Sequence, residues 1–338
     1  MVMKKFINNP EAFVEEMLEG VMAAHADQLA YVDDDIKCVL RADRSKRKVA
    51  LASGGGSGHL PLFMGYVGEG MLDGCTVGGV FQSPSANQMY EVTKAIDQGM
   101  GVLYIYGNYS GDVINFDMAT ELADLDDIRV ETVLGADDIA SAPKEEKDKR
   151  RGVAGIFYLY KCAGAAAELG WDLDEVKRVA KKTGERVATI GVALSPCIIP
   201  EVGKPSFTIG EDEMEIGMGI HGEPGIRRGK LQKADVVVDE ILPAILNDVE
   251  VVTGDEVSIL INGLGATPKE ELYIIYRRIA QVLNEKGVKM VKLYCGEYAT
   301  SMEMAGFSIS VCKLDDELKS LLSEKAYTPF FEQIKLEL

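Results

Sequence analysis

Short apolar runs alternate with small-residue segments and amphipathic stretches along the first part of the chain. Asn9-Pro10 reads as an N-cap and first helical residue, and Phe13, Met17, Val21 and Ala24 follow on one helical face. The charged residues Asp33 to Asp35 mark a loop. Val49-Ala50-Leu51-Ala52 predicts a strand; Gly54-Gly55-Gly56-Ser57-Gly58-His59 follows, and a helix is expected from Leu60 onward. The unit recurs. Thr76 to Phe81 reads as a strand, Gln82-Ser83-Pro84-Ser85 as a loop, and Ser85 as the cap of a helix. Val102 to Tyr106 is a third strand, followed by Asn108-Tyr109-Ser110-Gly111-Asp112 and another helix. Strand, small-residue loop and helix, three times over, predict a parallel α/β sheet. Ligands of such sheets sit off the carboxyl ends of the strands, so His59, Ser83 and Asp112 are expected to converge there.

Residues 142–151 read as a charged linker. Helices are expected over 153–169 and 173–185, the second with Leu173, Val176 and Val179 on its apolar face, and a strand over 187–194. The pattern then changes, with Pro196, Pro200, Pro205 and several glycines. We place a domain change near 190, giving a Rossmann-like parallel-sheet domain over 1–190 and a mixed α/β domain over 191–338. In the second, Glu213 to Ile220 alternates as a half-buried strand does. Helix 232–247, strand 257–262, helix 268–286, strands 288–295 and 307–312 and helix 314–323 follow.

Composition narrows the chemistry. The 338 residues carry a net charge of −18, whereas nucleic acids and anionic membranes both call for a basic face, so neither is expected as a partner. The six cysteines are scattered, with no Cys-x-x-Cys, which points to reduced thiols in the cytoplasm. Asn8, Asn9 and Pro10 interrupt any apolar run behind Lys4 and Lys5, and no apolar stretch is long enough to span a bilayer. With three histidines and no His-Glu-x-x-His, no metal site is expected.

The segment Gly217-Met218-Gly219-Ile220-His221-Gly222-Glu223-Pro224-Gly225 puts one imidazole on a glycine-rich turn just past a strand. It matches the dinucleotide fingerprint as a string, but Glu-Pro-Gly stands where the helix should open. Gly54 to Gly58 lacks the Gly-Lys-Ser/Thr of a phosphate-binding loop, so it is either a nest for phosphate or sugar hydroxyls or simply a tight turn. His59 and His221 each read equally well as chemical or as packed residues, whereas His25 falls inside a helix and reads as packed or solvated. Asp112 is either an acid at a helix start or a general base over a hydroxyl.

Together, the segments 54–59, 81–84, 108–112 and 217–225 closely resemble those of the dihydroxyacetone kinase substrate-binding subunit, and the resemblance runs from Asn9 to Leu322. It implies that His221 adds through an imidazole nitrogen to the carbonyl carbon of a small ketose, forming a hemiaminal, which glycerol cannot do. It also implies Asp112 as general base and His59 as its partner on the substrate, with Gly56, Ser57, Gly58, Phe81 and Ser83 lining the substrate. ATP-using members carry a further nucleotide domain, so the resemblance is to the K subunit of the split, phosphoenolpyruvate-dependent system. That implies a cytoplasmic homodimer with no cofactor of its own. It also implies ADP and Mg on a separate nucleotide-binding L-type subunit, recharged by a phosphocarrier M-type protein. Two positions depart from the family: Leu60 stands where Glu is usual, and Gln82 where Thr is usual. They open two alternatives, a larger ketose such as erythrulose, or a ketone-sensing co-regulator without turnover.

Overall fold

The computed structural model describes residues 3–338. The N-terminal part runs α1 (Phe13–Ala24), β1 (Leu29–Val32), β2 (Asp35–Arg41), β3 (Ala50–Ser57), β4 (Gly74–Val80), α2 (Ala86–Ile96), β5 (Val102–Gly107), α3 (Ser110–Asp124), β6 (Val130–Gly135), α4 (Ile156–Glu168) and α5 (Leu173–Glu185). Its six strands form one sheet in the order β1-β2-β4-β3-β5-β6. The expected parallel sheet is the contiguous set β4, β3, β5 and β6, while β1 and β2 add antiparallel beyond β4. Those two edge strands and β6 escape the sequence reading, since their apolar positions are short and mixed with charge.

The remainder runs β7 (Val187–Ala193), β8 (Ile198–Ile199), β9 (Lys204–Pro205), β10 (Glu213–Ile216), β11 (Arg227–Lys230), α6 (Ala234–Asp248), β12 (Glu256–Gly263), α7 (Lys269–Glu285), β13 (Lys289–Gly296), β14 (Gly306–Leu314) and α8 (Asp316–Ser323). A second six-stranded sheet has the order β11-β10-β7-β14-β12-β13. Only β12 and β13 are parallel in it. The fold is thus mixed α/β with parallel and antiparallel pairings. Residue 190, where the sequence changes character, lies within β7.

Helix α4 sits between the sheets. Every residue from Ile156 to Ala167 is buried, as in a helix packed all round. Tyr160 reaches Ser53 of β3 across 2.7 Å, and Tyr158 reaches Ser258 of β12 across 3.0 Å. One hydrophobic core therefore includes Leu51 and Leu103 from the first sheet and Val187, Leu260 and Cys312 from the second.

Three expectations need correction. The glycine run is not a loop, since Gly54 to Ser57 are the carboxyl half of β3. Bare backbone is needed there, because a Cβ on Gly55 would lie 2.3 Å from the buried Phe63 ring. No α-helix starts at Leu60. The segment turns through a short 3-10 helix at Met64–Tyr66, and Leu62, Phe63, Met64 and Tyr66 are all buried. A stretch with no polar face, punctuated by Pro61 and Gly65, has nothing to turn toward water as a surface helix must. On α1 the buried residues are Val14 and Leu18, with Phe13, Met17 and Val21 half-buried and Ala24 exposed. By contrast, α5 and the elements expected after residue 230 fall within two residues of their expected limits.

Glycines 55 and 20 make opposite tests. Gly55→Ala should destabilise the fold by about 1–3 kcal/mol, because a rigid ring blocks the new methyl. Gly20→Ala on exposed α1, where nothing lies within 4 Å, should stabilise it by about 0.5–1 kcal/mol. Denaturant unfolding of both variants checks the pair.

Candidate active site

The carboxyl ends of β3, β4 and β5 and the loop after β10 meet at one place. Beyond β3, Met302 N–H donates to Gly58 O across 2.8 Å and Thr300 N–H to His59 O across 3.2 Å. The Thr300 hydroxyl donates to Leu60 O across 2.9 Å. These bonds tie the end of β3 to the segment before β14. His59 is fully buried, its Nδ1 2.8 Å from Thr300 O. A carbonyl only accepts, so Nδ1 carries the proton and Nε2 keeps its lone pair. Among the described residues that Nε2 is buried without a partner. Burial, and then the charge of His221, lower the His59 pKa to about 3, so the ring is neutral.

The His221 loop is held by side chains. Arg151 donates to Gly217 O across 3.1 Å, Ser301 to Ile220 O across 2.5 Å, and Gly225 N–H to Glu215 across 2.7 Å. Glu223 folds back under the loop. One carboxylate oxygen accepts from the His221 amide across 3.0 Å, and the other lies 2.9 Å from His221 Nδ1. A Cβ at 219 would lie 2.1 Å from the Glu223 carboxylate, so any larger residue there would push that carboxylate aside. The carboxylate assigns the proton to Nδ1 and leaves Nε2 of His221 as the free nitrogen. Burial pushes Glu223 up, but the hydrogen bond and charge of His221 outweigh it, with help from Arg151, and set it at about 2. Arg151 is itself anchored to Asp138 across 2.8 Å and stands 3.9 Å from Glu223.

Aromatic rings pack around the two imidazoles. His59 and His221 lie 4.8 Å apart, edge to face. Phe81 stacks on His59 at 4.8 Å and meets His221 at 5.2 Å, and Tyr109 meets His221 at 4.7 Å. Asp112 stands in the first turn of α3, 6 % exposed. Burial raises its pKa to about 6, against the Ser83 hydroxyl and the charge of His221, which both lower it. Asp112 Oδ1 and the Tyr109 hydroxyl are buried without a partner among the described residues, like His59 Nε2. Polar atoms left this way cost stability unless something meets them. The rings of His59 and Tyr109 pack against His221 and its charge reaches Asp112, an arrangement that suits a small molecule bearing both a carbonyl and hydroxyls.

Of the other expected residues, Gly56 and Gly58 border this space with Phe81. The Ser57 hydroxyl is spent on Gly78 O across 2.8 Å. Ser83 sits at the first turn of α3. His25 is remote, 5.8 Å from the ring of Phe330. Gln82 is exposed and leans toward Gly79, while Leu60 is half-buried in the core. Glu223, Arg151, Thr300 and Tyr109 had no expected role. Only Glu223 left a signal, an acid two residues after the histidine within one tight turn.

The family described as the Dak1 domain matches residues 19–330. The chain is 47% identical over 331 residues to the PTS-dependent dihydroxyacetone kinase 2, dihydroxyacetone-binding subunit DhaK, of Listeria innocua, covering 98% of this chain and 99% of that one. It is 41% identical to the L-erythrulose kinase of Pectobacterium atrosepticum, covering 98% of this chain but 56% of that protein. Among solved structures, the dihydroxyacetone kinase operon co-activator Dha-DhaQ superposes with a TM-score of 0.88 at 30% identity, covering 95% and 98% of the two chains.

The buried carboxyl gives a stability test. Asp112 binds its proton more tightly folded than unfolded. Its favourable share is therefore whole below its ordinary value of 3.8 and lost as pH rises through about 6. Asp112→Asn removes that loss. The variant should gain on the wild type through this window and be more stable at pH 8, by at most about 3 kcal/mol. Denaturant unfolding at pH 4 and pH 8 measures the difference; a variant less stable than wild type at pH 8 contradicts the assignment.

Proposed function

The chain belongs to the Dak1 domain family, and on that footing we propose that it is the substrate-binding subunit of a dihydroxyacetone kinase that captures the ketone covalently on His221. The observation that carries this reading is the pairing of His221 Nδ1 with Glu223, which leaves Nε2 free on a ring packed against His59 and Tyr109. Nε2 of His221 adds to the carbonyl carbon. The C=O π pair moves onto oxygen, which takes up a proton, while the imidazole sheds its Nδ1 proton. Glu223, held near 2, stays anionic and stabilises the imidazolium formed in between. Selection then rests on reactivity, since a polyol of the same shape has no carbonyl.

A terminal hydroxyl of the captured ketose is left free. Asp112, raised to about 6, is a base matched to neutral pH and takes that proton as the oxygen attacks phosphorus. His59 Nε2, with its proton committed to the other ring nitrogen, accepts a hydrogen bond from a ligand hydroxyl. The phosphoryl group comes from a nucleotide, ADP-linked with Mg, on a separate L-type subunit recharged by an M-type phosphocarrier. Support for this partner set is the 47% identity to a PTS-dependent subunit. A homodimer in the cytoplasm is part of the same reading. No helix among the described residues is long and apolar enough to cross a membrane.

A larger ketose is the second reading, favoured by the 41% identity to an L-erythrulose kinase. The deciding experiment mixes this chain with an ADP-loaded nucleotide subunit and its phosphocarrier and offers dihydroxyacetone and erythrulose side by side. His221→Ala should abolish capture and turnover. Asp112→Asn should keep capture and lose turnover by about a hundred- to ten-thousand-fold, and Glu223→Gln should weaken capture by about ten- to a hundred-fold. Full turnover by Asp112→Asn would remove the base assignment. Ketone binding on His221 with no turnover of either ketose would replace the kinase by a sensor.

A further inference from the structure

Helix α3 spans 15 residues and begins without a side-chain cap; Tyr109, at its N-cap, offers none. The neighbouring helix α2 is closed by a full capping box between Ser85 and Gln88. Among the described residues, the amides of Ser110, Gly111 and Asp112 meet no acceptor. Ser110 and Gly111 are exposed, whereas the Asp112 carboxyl in the same turn is buried with Oδ1 unpartnered. The Ser83 hydroxyl lies against the turn as well, 2.7 Å from where a Gly111 Cβ would stand. So the carboxyl that would hold a ligand hydroxyl shares its helical turn with two open amides on exposed residues. The cation nearest the His221 loop cannot serve there, because Arg151 is committed to Asp138 and Gly217 O.

We propose that the open N-terminus of α3 is a phosphoryl subsite, in which the Ser110 and Gly111 amides receive the oxygens of a phosphate group on the ligand hydroxyl. The inference rests on the kinase reading above. During transfer, the hydroxyl gives its proton to Asp112 and its oxygen bonds to phosphorus. The bond from phosphorus to the leaving nucleotide oxygen breaks, and that oxygen keeps the pair. The phosphoryl oxygens need fixed donors throughout, and uncapped first-turn amides at the positive end of a helix supply them without reorganisation. The same amides hold the phosphate ester once it has formed.

Proline at Ser110 deletes one of these N–H groups where proline is tolerated, at the first helical position. Tyr109, at φ −122° and ψ 137°, already has the extended geometry a following proline requires. Alanine at 110 keeps the N–H, so Ser110→Pro against Ser110→Ala isolates one donor. Calorimetry on the full chain without partners would titrate dihydroxyacetone and, separately, dihydroxyacetone phosphate. The expected result is equal ketone affinity in the two variants and ester binding about ten- to a hundred-fold weaker in Ser110→Pro. Equal ester affinity, or parallel loss of ketone and ester, overturns the subsite. Should the proline variant not fold, amide NMR of the wild type decides. Downfield shifts of Ser110 and Gly111 on adding the ester support the subsite, and unmoved resonances overturn it. The kinase reading fails separately, if the wild type captures ketone yet transfers nothing with its partners present.

Discussion

The site depends on a seam of hydrogen bonds between residues 58–60 and 300–302. Met302 and Thr300 donate to Gly58 O and His59 O through their amides, and the Thr300 carbonyl holds His59 Nδ1. The first two bonds lock the end of β3 to the chain entering β14, so the two sheets cannot shift at this point without breaking main-chain pairs. The third fixes a tautomer. Because Thr300 O can only accept, the seam determines which nitrogen of His59 faces the ligand space. The same region carries Ser301, whose hydroxyl holds Ile220 O directly before His221. One short segment thus places both imidazoles, and their 4.8 Å separation is a consequence of how the sheets are joined.

Helix α4 gives the seam its rigidity. It is buried on all sides, and its two tyrosines face opposite sheets through hydroxyl pairs. A second brace lies in the charged segment after β6, where Arg150 is 3 % exposed and grips Asp248 of α6 through two bonds of 2.8 and 2.9 Å. Such a pair costs desolvation, and its two-pronged geometry recovers part of that cost while fixing orientation. The adjacent Arg151 carries the same segment to the His221 loop. What reads as a charged linker in the sequence is therefore a strut from α6 to the site.

Periodicity made much of this legible. The Ser85 cap, the span of α5 and the second sheet's helices follow from spacing and capping chemistry alone, and α6, α7 and α8 lie where their apolar stripes put them. The convergence of His59, Ser83 and Asp112 follows from strand–helix alternation. The rest was hidden for identifiable reasons. A run of glycines carries no side-chain pattern, so a strand made of them reads as a loop. Alternating charge does not say which arginine is buried, so Arg150 and Arg151 passed as part of a charged linker. Glu223 entered only as one letter of the glycine-rich motif, because its service to His221 depends on a turn folding back across two residues. The chemical role of His221 itself was undecided from spacing and became readable only through the family's four motifs.

The unpartnered atoms bear on selectivity. His59 Nε2, Tyr109 Oη and Asp112 Oδ1 are buried without hydrogen bonds, and each such group costs about 1–3 kcal/mol until it is met. On the covalent reading, capture asks two independent questions of a ligand. The first is put by the free nitrogen of His221, and a polyol fails it for want of a carbonyl. The second is put by the three polar atoms, and a plain ketone fails it, because it forms the same C–N bond yet leaves them unsatisfied. A site built to hydrogen-bond hydroxyls rejects an analogue without them far more strongly than an apolar pocket rejects a missing methylene. Discrimination against both neighbours of a hydroxyketone therefore needs no close steric fit. The groups that supply it are an acid held near 6 and an imidazole held near 3 by burial, both kept out of water by the fold.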